Sequence, residues 1–121
     1  MQWQFSNDAP IYTQLIWQVK VGIVTGAFPP GERLPSVRDL ATEAGVNPNT
    51  MQRAMAQLEQ NGLAVGSRTA GRTVTEDAEV IRAARLERAR AAVSQCLKIL
   101  EELGYSRADA LAIMKEELHD E

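Results

Sequence analysis

The stretch "SVRDLATEAGVNPNTMQRAMAQLEQNGL", residues 36–63, decides the fold. It carries the signals of two short helices separated by a tight turn. Ser36 followed three residues later by Asp39 is a capping box, and Gly45 is suited to ending the first helix. Asn47 is a favoured N-cap residue for the second helix. Two short helices joined in this way are typical of a helix-turn-helix.

The second of these helices has a polar face without acids. Its apolar positions, Met51, Met55 and Leu58, are predicted to face the core, which turns a different set of side chains outward. Acids usually occupy the first turn of a helix because the peptide dipoles leave partial positive charge there, yet none lies between Gly45 and Leu58. The outward-facing residues are Asn49, Gln52, Arg53, Ala56 and Gln60.

This face suits DNA. Asn and Gln side chains can pair with adenine, Arg can pair with guanine or a phosphate, and a small Ala can meet a thymine methyl group. The backbone amides near Asn49 and Thr50 are expected to be unfilled and to suit a phosphate. The alternative is a solvated helix face that happens to lack acids.

The flanking segments complete a winged version of this motif. The sequence of residues 10–28 predicts a helix that begins at Pro10 and ends near Gly26. Its core face carries Ile11, Leu15, Val19 and Ile23. "GLAVGSRTAGRTVT", residues 62–75, predicts a β-hairpin that forms the wing. In residues 1–9, Trp3 and Phe5 alternate with polar residues, which favours an extended arm whose aromatic rings pack on the body.

The C-terminal part predicts two helices and a dimer. A helix of about 28 residues runs from Glu76 to Gly104, and a second capping box, Ser106 with Asp109, begins another. Their apolar stripe is wider than one hairpin can bury, so we expect self-association; the alternative is a hairpin folded back on its own winged domain. Cys96 lies in this stripe and is expected to be buried. The candidate dimer residues are Leu86, Val93, Leu97, Leu100, Leu103, Leu111 and Met114.

Composition excludes several other classes of protein. One cysteine and one histidine cannot make a metal site or a Cys/His catalytic set, no phosphate-binding glycine motif is present, and no cofactor is expected. No apolar run suggests a membrane span or a secretion signal, so we expect a cytoplasmic protein. The net charge of −3 hides an asymmetry: residues 1–75 carry net +1 and residues 76–121 net −4.

The expected fold class is therefore mainly α with a small β wing, a winged helix-turn-helix followed by a C-terminal α-helical hairpin. Residues 1–75 are predicted to form the DNA-binding domain with its N-terminal arm, and residues 76–121 the helical dimerisation hairpin. We expect a DNA-binding regulator rather than an enzyme. The competing hypothesis is a winged-helix module that binds protein without sequence-specific DNA binding, although such a module would more often show apolar residues on the reading face.

The segments "PIYTQL" and "PPGERLPSVRDLATEAGVNPNTMQRAMAQLEQNGL" resemble the DNA-binding domain of the GntR family of bacterial transcription regulators over residues 10–74. The "NPNT" element and the short C-terminal hairpin resemble the YtrA subfamily. The resemblance implies a homodimer on a two-fold operator, acting as a repressor, and leaves open whether a small-molecule effector exists. The candidate DNA-binding residues are Arg38, Asn47, Asn49, Thr50, Gln52, Arg53, Arg68, Gly71 and Arg72.

Two positions depart from the pattern of that family. Many members carry Arg where Pro48 stands, so Asn49, Thr50 and Gln52 are expected to carry more of the base reading. The wing usually reads Arg-Gly-x-Gly-Thr, whereas here Thr69 replaces the first glycine and Arg72 adds a charge.

Overall fold

The computed structural model describes residues 1–69 and 71–119. The order of elements is α1, α2, α3, β1, β2, α4 and α5, which confirms the expected fold class of a winged helix-turn-helix followed by C-terminal helices. The elements are α1 (Ile11–Val24), α2 (Val37–Ala44), α3 (Pro48–Gln60), β1 (Ala64–Ser67), β2 (Gly71–Val74), α4 (Ala78–Glu102) and α5 (Arg107–His119).

Local capping shapes the helix-turn-helix as the sequence predicts. The hydroxyl oxygen of Ser36 accepts a hydrogen bond from the backbone N–H of Asp39 at 3.1 Å and begins α2. Gly45 ends α2 in the left-handed conformation, with φ of +70°, which an L side chain rarely adopts. The amide oxygen of Asn47 accepts from the N–H of Asn49 at 2.8 Å and begins α3.

The core lies between α1, α2, α3 and the wing. Met51, Met55 and Leu58 are fully buried, as predicted, and Ala54 joins them. The prediction for Ile11 is wrong, because its side chain is 38% exposed. Ile11 is the first residue of α1 and lies one turn beyond the rest of the apolar face. The core residues are Leu15, Val19, Ile23, Leu34, Leu40, Ala41, Met51, Ala54, Met55, Leu58, Leu63, Ala64 and Val74.

The wing is an antiparallel pair, β1 with β2, in which Gly66 pairs with Arg72 and Ser67 with Gly71. A third segment extends it on the other edge of β2. Arg33 forms an isolated antiparallel bridge with Thr73, and the N–H of Leu34 donates to the carbonyl of Arg72 at 2.9 Å. The residues that lead into α2 are therefore bound to the wing.

The N-terminal arm packs on α1. Trp3 packs against the core, as predicted. The prediction for Phe5 is wrong, because its ring is exposed and stacks on Trp3 at a centroid distance of 6.1 Å instead of packing on the body. The side chain of Gln18 on α1 exchanges two hydrogen bonds with the backbone of Gln4. The terminal ammonium of Met1 lies 2.9 Å from a carboxylate oxygen of Glu43 and holds the pKa of that carboxyl below its usual value.

Two compact units divide the chain, residues 1–85 and 86–121. The first unit extends beyond Thr75 because the first turns of α4 belong to it. Val80, Ile81 and Ala84 are partly buried against the core cluster. α4 begins at Ala78, slightly later than Glu76, since the carboxylate of Asp77 accepts from the N–H of Glu79 at 3.0 Å and caps the helix.

The second unit contains the remainder of α4, a turn at Gly104 and α5. Ser106 and Asp109 exchange hydrogen bonds at 3.1 and 3.3 Å, the reciprocal capping box that the sequence predicts. Ala110 is the one buried residue in the described part of this unit. The prediction of a buried Cys96 is wrong for the single chain, because the side chain is exposed.

Candidate nucleic-acid interface

The polar face of α3 is presented to solvent. Met51, Met55 and Leu58 hold the opposite face in the core, and this leaves Asn49, Gln52, Arg53, Ala56 and Gln60 exposed. The first turn of α3 carries no acidic side chain. As in a recognition helix, the side-chain amides can donate and accept hydrogen bonds at base edges, and the guanidinium of Arg53 can donate them.

The amides at the start of α3 differ from the expectation. The N–H of Asn49 is bound by the side chain of Asn47, and the N–H of Thr50 donates to the carbonyl of Asn47 at 3.0 Å. The prediction that these amides are unfilled is therefore wrong, because the N-cap residue takes both of them. A DNA contact by Asn49 or Thr50 stays a prediction, now through their side chains.

Arg53 is held by a neighbour from another helix. Its guanidinium lies 4.6 Å from the centroid of the Tyr12 ring on α1, the geometry of a cation–π interaction. The charge remains on the exposed side of α3, so the ring orients the guanidinium without neutralising it. Nothing in the local pattern of either helix predicts this contact, since the two residues are far apart in the sequence.

Arg38 and Arg68 flank the polar face on different elements. Arg38 is exposed in the first turn of α2, and Arg68 is exposed just beyond the end of β1. They bring positive charge from the helix-turn-helix and from the wing. Wing geometry at Ala70 lies outside the described residues.

Arg72 lies on β2 but reaches back to α3. Its Nε lies 2.8 Å from a carboxylate oxygen of Glu59, in the last turn of α3. Gly66, which pairs with Arg72 across the wing, provides the space: a Cβ there would lie 2.9 Å from the same oxygen. Glu59 was not among the residues that sequence reasoning selected, and its partner is visible only in the folded chain.

Arg33 is a second residue that sequence reasoning did not select. Its guanidinium nitrogens lie 3.6 and 3.7 Å from the position of a Cβ added to Gly71. Gly71 itself has φ of +68° at the start of β2, which glycine adopts without strain. Arg33 and Arg68 both line a cleft of about 540 Å³ between the wing and the start of α2.

The described residues contain neither a cluster of metal ligands nor a membrane-spanning helix. Within residues 1–69 and 71–119, no three His, Cys, Asp or Glu side chains come together as a metal site. In the same part of the chain, no helix combines the length and apolar character that crossing a membrane requires.

The geometry agrees with a family assignment. Residues 11–74 match the model of the gntR family of bacterial regulatory proteins. The match covers more than half of the chain and all of the helix-turn-helix and wing. The chain belongs to the gntR family.

Relatives of this gntR regulator agree over most of its length. It is 33% identical over 112 residues to the HTH-type transcriptional regulator YhcF of Bacillus subtilis, which is 93% of each chain. It is 41% identical over 73 residues to the HTH-type transcriptional repressor YtrA of the same organism, covering 60% of this chain and 56% of YtrA. The chain is thus of the GntR/YtrA type that its "NPNT" element and short C-terminal part indicate.

A solved structure extends the likeness to the fold. A GntR family transcriptional regulator from Listeria monocytogenes superposes with a TM-score of 0.83 and 34% identity, covering 93% of this chain and 98% of that one. The gntR protein described here is therefore a transcriptional regulator with a helix-turn-helix DNA-binding domain, and it is not an enzyme.

Proposed function

We propose that this gntR regulator binds a specific DNA sequence through α3 and represses transcription by occupying its operator. The observation that carries this proposal is the exposed, acid-free face of α3 with arginines around it. Asn49 and Gln52 read base edges, and Arg68 at the wing binds the phosphate backbone and sets the register. Arg38 on α2 contacts either a guanine edge or a phosphate. The repressor role is supported by the likeness to YtrA, a transcriptional repressor.

The regulator acts as a homodimer in this proposal. The second unit exposes large apolar side chains, among them Val93 at 53% and Leu103 at 68%. A second copy of the same unit would cover them and remove this apolar area from water. The proposed interface comprises Leu86, Val93, Leu97, Leu100, Leu103, Leu111 and Met114.

Dimer symmetry defines the expected operator. Two copies of α3 related by a two-fold axis lie about 34–36 Å apart, or a multiple of it, when each occupies a major groove on one side of the duplex. The operator is therefore an inverted repeat whose half-site spacing reports the geometry of the dimer.

Selection from a random-sequence pool of duplex DNA by the full-length protein tests this proposal. We expect the retained duplexes to share an inverted repeat, and sedimentation of the complex to give two chains per duplex. Retention without enrichment of any sequence would contradict sequence-specific recognition. Absence of duplex binding, together with binding of a protein to the face of α3, would instead support an interaction module.

A further inference from the structure

We propose that the arginines at the wing have separate tasks: Arg33 binds the phosphate backbone, whereas Arg72 positions the wing through Glu59 and makes no phosphate contact. This inference rests on the proposed DNA-binding function and deepens it. It differs from the sequence-based expectation, in which Arg72 is a candidate DNA-binding residue and Arg33 is not among the candidates.

The guanidinium of Arg72 already has an acidic partner. This group is bound to the carboxylate of Glu59 at 2.8 Å, and the Arg72 side chain is only 19% exposed. A paired guanidinium of this kind adds little net positive charge for a phosphate to meet. Breaking the pair to reach DNA would leave Glu59 as an uncompensated negative charge beside the same phosphate.

The ion pair between Arg72 and Glu59 connects two elements of the fold. Glu59 belongs to α3 and Arg72 to β2, so their contact joins the recognition helix directly to the wing. Gly66 pairs with Arg72 on the neighbouring strand, and its missing side chain leaves room for the Glu59 carboxylate. The pair therefore fixes the wing relative to α3, which is what a two-part DNA-binding surface requires.

The surroundings of Arg33 differ from those of Arg72. The Arg33 side chain is exposed, and it has no hydrogen-bond or ion-pair partner within residues 1–69 and 71–119. The bridge to Thr73 anchors its backbone to β2, and the guanidinium lies beside Gly71, in the last strand pair before the wing turn. Because the backbone at Arg33 is bound to β2, the range of positions that the guanidinium can reach is limited.

The cleft between the wing and α2 carries a net positive charge. Arg33 and Arg68 line it together with the hydroxyl-bearing Ser36, and Glu59 is the one acid among its described lining residues. Because Arg72 neutralises Glu59, the charges of Arg33 and Arg68 remain uncompensated. A cleft with two uncompensated guanidinium groups and open access suits a phosphodiester of duplex DNA.

Glutamine variants of the full-length protein separate the two tasks, since glutamine removes the charge while retaining part of the side-chain stem. We would measure binding of Arg33→Gln and Arg72→Gln to a duplex selected by the parent and to a random duplex of equal length, across salt concentrations. Arg82→Gln is the charge-matched control, because Arg82 is exposed on α4 and pairs with Glu79.

Loss of a phosphate contact has a defined signature. We expect Arg33→Gln to reduce the slope of log K against log salt concentration by about 0.9 for each protomer, on both duplexes. Arg72→Gln alone should lose up to about fivefold in preference for the selected duplex per protomer, the scale of a surface ion pair. Combined with Glu59→Gln, which removes the freed carboxylate, it should have the same slope as Arg82→Gln. Glu59→Gln alone should match the loss of Arg72→Gln, and the double variant should lose no more than either single variant.

The inference is overturned if the double variant Glu59→Gln with Arg72→Gln reduces the salt slope while Arg33→Gln behaves as the Arg82 control, or if the Glu59 and Arg72 losses add. Arg72→Lys provides a second measurement should Arg72→Gln prove unstable, because it keeps the charge that Glu59 requires. If the parent binds neither duplex, the proposed function fails and this inference with it. If the parent binds and the slopes contradict the expectation, only the division of tasks fails.

Discussion

The guanidinium of Arg53 lies over the ring of Tyr12, 4.6 Å from its centroid. The contact joins α1 to the exposed face of α3 and limits the conformations that Arg53 can adopt. An arginine that is already oriented loses less conformational entropy when it binds a base or a phosphate. On the proposed DNA-binding surface, the Tyr12 ring would therefore act by orienting Arg53.

This relationship predicts an indirect effect of Tyr12 on DNA binding. Tyr12→Leu should weaken binding to the selected duplex by about 0.5–1 kcal/mol per protomer, the scale of an exposed cation–π contact. Tyr12→Phe retains a ring and should bind nearly as the parent. Fluorescence anisotropy with labelled duplex provides the measurement, and equal losses for the two variants would show that the ring is not what orients Arg53.

Gln52 is expected to read bases. It lies in the middle of the exposed face of α3, where a side-chain amide can pair with adenine in both directions. Gln52→Ala should cost about 1–3 kcal/mol on the selected duplex and leave binding to random duplex nearly unchanged.

Gln95→Ala is the matched control for this test, because Gln95 is an exposed glutamine on the second unit. Filter binding on selected and scrambled duplexes compares the variants. If Gln52→Ala lost both kinds of binding equally, the base-reading role of this residue would be wrong.

Substitutions of Asn47 permit the stability of the fold and the affinity for DNA to be varied separately. Its amide oxygen caps α3 through the N–H of Asn49, so Asn47→Ala should lower the free energy of unfolding by about 1 kcal/mol. Asn47→Asp keeps a good cap and adds a negative charge that the helix dipole favours, so stability should be retained.

The same aspartate should repel the DNA backbone. We expect Asn47→Asp to bind duplex more weakly than the parent at low salt, with a difference that shrinks as salt screens the charge. Urea denaturation at one protein concentration gives the stability, and anisotropy gives the affinity. Unchanged affinity at low salt would place the start of α3 away from phosphate.

The proposed dimer predicts that a charge in the apolar stripe of α4 separates the chains. Leu97→Glu should give monomers in sedimentation equilibrium, because a carboxylate in an apolar interface would be desolvated without a partner. Gln95→Glu, two residues away on the opposite side of the helix, is the control and should remain dimeric. A dimeric Leu97→Glu variant would exclude this stripe as the centre of the interface.

Sequence alone was sufficient for the helix-turn-helix and for the face that it exposes. The Ser36 and Asn47 caps, the Gly45 turn and the spacing of Met51, Met55 and Leu58 are relationships within a few residues, and helix geometry converts such spacings directly into positions on a face. The same local reasoning extends to the second capping box at Ser106 and to the packing of Trp3 on the body of the domain. The family resemblance added the wing as a place of DNA contact.

Only the tertiary structure decided which charges this surface offers. Arg33 joins the wing through a bridge to Thr73, and Glu59 meets Arg72 across a gap that Gly66 leaves open. These pairs combine residues from separate elements, and their distances depend on how the elements pack. Local periodicity cannot specify that packing, because it fixes which face of an element is apolar but not which side chain of a neighbour that face brings within reach.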